Sequence, residues 1–98
     1  MRYRISRVAN ADLDAIWHHI ATDSIDAAER VDDELHKAMF LLARMPGMGH
    51  AKAGVKDPRV RFWRVYSYLI AYRIERSTLI VMRVVHAARD LRKLFPKP

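Results

Sequence analysis

The chain has no cysteine, which excludes both a disulfide framework and a thiolate zinc site. Its 98 residues include only three glycines and four prolines, and no repeat or low-complexity stretch is present. Long apolar runs are missing too. The longest, such as Ala38–Ala43, fall far below the roughly 18 residues that cross a bilayer. Residues 1–5 lack the apolar core of a signal peptide. These absences lead to the expectation of a soluble, cytoplasmic protein with no membrane partner. With 51% hydrophobic residues the chain is expected to fold as one domain over residues 1–98, with a single modest core.

Charge is abundant but unevenly placed. Residues 1–43 carry five Lys/Arg against eight Asp/Glu, whereas residues 44–98 carry thirteen against three. A positive field over the second half favours an acidic partner such as nucleic acid or an acidic protein segment, and by itself does not choose between them.

The local patterns give an order of elements. Met1, Tyr3 and Ile5 alternate with polar residues, as in a strand with one face on a core. Asn10 is a candidate helix N-cap, followed by Asp12 and Asp14 and by the stripe Leu13, Ile16, Trp17, Ile20 at helical spacing. After a break at residues 21–24, the series Ala28, Val31, Leu35, Ala38, Met39, Leu42 predicts a second helix ending near Arg44, folded back on the first. Pro46-Gly47 stops it, and residues 50–60 read as a basic loop. Three strands follow at Arg61–Tyr66, Tyr68–Ile74 and Leu79–His86, joined by short turns. In the last of them Ile80, Met82 and Val84 form a wholly apolar face that is expected to receive the helices, while Arg83 interrupts the other. Residues 88–95 are expected to dock as a short helical tail. The fold class is therefore α+β, in the order β-α-α-β-β-β, with a helical hairpin on one face of an antiparallel sheet.

Several blocks occur in an order that resembles the ParE/RelE superfamily of type II toxin-antitoxin toxins. They are Asp12-Leu13-Asp14-Ala15-Ile16-Trp17, Leu42-Ala43-Arg44-Met45-Pro46-Gly47-Met48-Gly49, Arg61-Phe62-Trp63, Tyr68-Leu69-Ile70-Ala71-Tyr72-Arg73 and Val84-Val85-His86-Ala87-Ala88-Arg89-Asp90-Leu91. The resemblance to the ParE branch implies a toxin that inhibits DNA gyrase by binding, traps cleaved DNA, and is held inactive in a hetero-oligomer with a small ParD-like antitoxin. The RelE branch implies instead a ribosome-dependent mRNA endonuclease on the same fold. No cofactor is expected for either.

For a nuclease the candidate residues are His86, Arg83 and Arg61, since attack by a ribose hydroxyl needs a base, an acid and cations near the phosphate. The RelE-like branch also places catalytic groups at the extreme C-terminus, where this chain offers Phe95-Pro96-Lys97-Pro98 without histidine or tyrosine. That favours an inhibitor over an enzyme. His86 also has a structural alternative, a hydrogen-bonded role at the strand end. The candidate target contacts are Arg83, Arg89, Arg92 and Lys93; the candidate antitoxin contacts are Leu13, Trp17, Ile20, Arg64 and Arg73. Arg83 is equally readable as an edge charge, and Arg89 and Asp90 as anchors of the tail. His18 and His19 diverge on a helix, and Asp32 with His36 reads as a solvated pair, so no metal site is expected.

Overall fold

Two serines decide where the helices begin. In the computed structural model, which describes residues 1–95, Ser6 Oγ accepts the Ala9 N–H at 3.1 Å and Ser24 Oγ accepts the Ala27 N–H at 3.0 Å. The first helix, α1 (Arg7–Ala21), thus starts before Asn10, which lies inside it rather than capping it. The second, α2 (Ile25–Arg44), returns beside it. Four strands make the sheet: β1 (Arg2–Ile5), β2 (Arg61–Val65), β3 (Tyr68–Glu75) and β4 (Thr78–His86), in the spatial order β1-β4-β3-β2. The last three form sequential antiparallel hairpins. The opening strand, to which its alternation gives no partner, lies parallel to β4. Between them the chain makes the α1–α2 crossover that a parallel neighbour requires. A short helix, α3 (Leu91–Leu94), closes the tail, with Asp90 accepting the Arg92 N–H at 3.0 Å as its cap. No helix among the described residues is long and apolar enough to cross a membrane.

The sheet is covered on both faces. On one, Ala9, Leu13, Leu35, Met39 and Leu42 of the helices pack on Ile70, Tyr72, Leu79, Val81 and Val84. On the other, Val60, Phe62, Leu69, Ala71 and Val85 are covered by Val55, Leu91, Leu94 and Phe95 from the loop and tail. This corrects the expected face of β4. Leu79 and Val81 meet the helices, whereas Met82 joins the opposite core. The cause is a β-bulge: Tyr72 pairs with Val81 and Ala71 with Arg83, so Met82 is the extra residue, and alternation restarts one residue late to return Val84 to the helical side.

The turn after α2 is pinned from the sheet. The buried Tyr72 hydroxyl donates to the Pro46 carbonyl at 2.7 Å and accepts the Gly49 N–H at 2.9 Å, while Arg61 donates to the Gly49 carbonyl at 2.8 Å. Burial pushes the Tyr72 phenol upward from its usual range. Gly49 has no room for a β-carbon, because the Tyr72 ring occupies that space.

Candidate functional site

Beyond the end of β1 the edge of β4 would be bare, and α1 covers it with side chains. The Ser6 N–H reaches the Val81 carbonyl at 3.0 Å and Ser6 Oγ donates to the Met82 carbonyl at 3.0 Å. One turn into α1, Asp12 accepts the Val84 N–H at 2.9 Å and takes the Arg83 guanidinium in a two-pronged pair at 2.8 and 2.9 Å. That hydrogen-bonded carboxylate holds the Arg83 pKa above its ordinary value. Arg83 thus has its guanidinium committed within the fold.

Beside this pair a surface cleft of about 290 Å³ opens between α1 and the end of the sheet, lined among others by Ile16, His19, Tyr68, Val85, His86 and Arg89. With Asp12 it brings five titratable side chains to one hollow. His86 stands edge-on to Tyr68, with ring centroids 5.7 Å apart. Its Nδ1 accepts the Ala88 N–H at 3.1 Å, so that ring nitrogen is engaged within the fold. Arg89 is exposed at the rim, with no ion pair among the described residues.

The three nuclease candidates do not converge. Arg61 sits on β2 level with Tyr72 and holds the 46–49 turn, while His86 lies level with Tyr68, four residues along β3, about 13 Å away at the strand rise alone. Arg83 is engaged by Asp12. The expectation about the extreme C-terminus falls on residues 96–98, outside the described residues.

The antitoxin candidates are divided between the two faces. Leu13 is only 6% exposed and belongs to the core, so in this fold it offers no surface to a partner. Trp17 and Ile20 are half-buried on α1, with Trp17 edge-on to His18. Arg64 and Arg73 alternate with the helix-facing residues and so lie on the other face. Arg64 donates to the Tyr66 carbonyl at 2.7 Å; Arg73 pairs with Glu75 at 3.0 Å and approaches Asp57 at 3.6 Å. Of the target candidates, Arg89, Arg92 and Lys93 cluster on the exposed tail, where Arg92 pairs with Asp90 at 3.2 Å; Arg83 is set apart beside α1. Asp32 and His36 meet at 3.6 Å, and no group of three or more metal-ligating side chains gathers among the described residues.

Two features escaped the sequence patterns. Asp57 is a buried carboxylate gripped by Arg59 through both side-chain oxygens at 3.0 and 2.9 Å, which lowers its pKa to about 2. Its sequence context, Lys-Asp-Pro-Arg, reads only as a turn. The other is an exposed apolar ridge on α2: Phe40 and Leu41 are 58% and 41% exposed. The hollow beside Phe40 is lined by Arg2, Tyr3 and Arg44. Phe40 and Leu41 adjoin the core-facing stripe, and hydrophobicity alone does not separate a lining residue from a buried one.

A family model described as the ParE toxin of type II toxin-antitoxin system, parDE, matches residues 3–91. A chain of the solved chromosomal ParDE TA system from P. aeruginosa is similar in fold, with a TM-score of 0.73 and 20% sequence identity, covering 88% of this chain and 95% of that one. No match is found among curated proteins.

Proposed function

The chain belongs to the ParE toxin family of type II toxin-antitoxin systems, and from that premise we propose that it arrests growth by binding DNA gyrase and is neutralised by a cognate ParD-like antitoxin. The observation that supports binding over cleavage is the dispersal of the catalytic candidates. Arg83 is engaged by Asp12, Arg61 by the Gly49 carbonyl, and the His86 lone pair by a backbone N–H. A ribonuclease needs those groups around one phosphate. Here each is engaged at a different place in the fold, and the three do not converge.

The antitoxin is assigned to the helical layer, where Val8, Ile25, Phe40 and Leu41 expose apolar area that a folded chain normally covers. An acidic antitoxin segment suits only one end of that layer, the hollow where Arg2 and Arg44 flank Phe40, because the helices themselves carry seven acidic residues against four basic ones. The system from P. aeruginosa, a ParDE pair by description, supports the same pairing here.

Induction of the toxin without antitoxin tests the reading. A DNA-damage response preceding any fall in protein synthesis is the expected outcome. The second reading, a ribosome-dependent mRNA endonuclease, draws on the proximity of His86, Tyr68 and Arg89 around one cleft. Codon-linked cuts in mapped mRNA ends, abolished by His86→Gln, would establish that reading and overturn the first.

A further inference from the structure

Charge in this protein is sorted by layer. The two helices carry four basic residues against seven acidic, whereas residues 50–60 and 86–95 together carry six basic against two acidic. Those two segments are distant in sequence and adjacent in space. Val55 packs in one core with Leu91, Leu94 and Phe95, and the position of Gly54 is closed by the Arg92 side chain. They roof the face of the sheet opposite the helices. Lys52, Lys56, Arg59, Arg92 and Lys93 are exposed on these segments, and Arg89 is exposed at their edge, between Gly54 and the α1 cleft. Both acidic residues of the roof are already paired, Asp57 with Arg59 and Asp90 with Arg92. Lys52, Lys56, Arg89 and Lys93 make no ion pair among the described residues.

We propose that this basic roof is a docking surface for the phosphate backbone of double-stranded nucleic acid. A protein partner would need apolar anchors at the centre of its contact. Among the described residues the exposed large hydrophobic side chains all lie outside these two segments, most of them on or beside the helices. A single strand would need exposed aromatic rings for its bases. The roof's one Phe, Tyr or Trp, Phe95, is 6% exposed and packed edge-on against Phe62, and the imidazoles of His50 and His86 already stand against Trp63 and Tyr68. What remains is a field of cations on a folded support, which suits a regular ladder of phosphates read without sequence. The contact requires neither gyrase nor antitoxin, so a naked duplex reports on it.

The test is fluorescence anisotropy of a short labelled DNA duplex titrated with the full chain at several salt concentrations. Four unpaired cations each meeting a phosphate give a log–log slope of about −3.6, or about 150-fold weaker binding at about 200 mM than at about 50 mM salt. The quadruple variant Lys52→Gln, Lys56→Gln, Arg89→Gln, Lys93→Gln is expected to flatten that slope by more than about half. A charge-matched control on the helices, Arg7→Gln, Arg30→Gln, Lys37→Gln, Arg44→Gln, is expected to keep it. Every one of these side chains is exposed, and the single reversals Lys52→Glu and Lys93→Glu give the same comparison if a quadruple variant does not fold. Equal affinity for a duplex RNA supports the backbone as the ligand, and preference for duplex DNA supports it with the wider-grooved form as the source. Absence of binding at low salt overturns the proposal. So does equal loss in both quadruple variants, tighter binding of single strands, or competition by polyglutamate as strong as by duplex.

Discussion

Asp12 joins two parts of the chain 71 residues apart, since one carboxylate satisfies both the Arg83 guanidinium and the Val84 N–H. Its removal leaves a partly buried cation and a strand-edge donor unpaired, and Asp12→Ala is expected to cost about 2–4 kcal/mol in urea unfolding. Combined with Arg83→Met in a double-mutant cycle, it should show a coupling above about 1 kcal/mol. Additive losses would mean the two side chains act independently. Asp57 gives a pH signature of the other kind. The paired Arg59 lowers its folded pKa from 3.8 to about 2, so its stabilising contribution is complete above about pH 4 and fades as pH falls towards 2. Acid unfolding of Asp57→Asn should lack that part of the pH dependence. An unchanged profile would contradict the pairing.

At the scale of elements, the turn between β3 and β4 is the place where sequence and backbone disagree. Arg76 and Ser77 both have positive φ, 48° and 62°, the pattern of a type I′ turn that asparagine and glycine adopt at less cost. The double substitution Arg76→Asn, Ser77→Gly is expected to stabilise the hairpin by about 1 kcal/mol and raise the thermal midpoint by about 4–8 °C. A fall would show that the native side chains make a compensating contact. The helices, the three hairpin strands and the docked tail were legible because their periodicity is local. The bulge at Met82 was not, because Leu79–Val85 is apolar at every position but Arg83 and so has no alternation to break, and only the pairing with Tyr72 and Ala71 reveals the extra residue. Asn10 placed the start of α1 too late, because what selects Ser6 as the cap comes from the neighbouring strand: Ser6 bonds to β4 as well as to its own helix. The dispersal of Arg61, Arg83 and His86 could not be read at all, since each partner lies elsewhere in the chain or depends on a ring orientation.

The whole molecule is a sheet between an acidic helical layer with exposed apolar residues and a basic roof of loop and tail. On the two proposals made above, that division separates the partners: the antitoxin on the helices, a polyanion on the roof. Phe40→Ala is accordingly expected to weaken the antitoxin complex by about 2 kcal/mol, roughly 30-fold in calorimetry, with little change in thermal midpoint because the ring is exposed. Undiminished affinity would move the antitoxin off this ridge. The most direct measurement for the account as a whole is plasmid supercoiling by purified gyrase, titrated with the toxin and then with its antitoxin. Loss of supercoiling with accumulation of cleaved DNA, reversed at stoichiometric antitoxin, is the expected result. Unchanged supercoiling with toxin in molar excess over gyrase would contradict it.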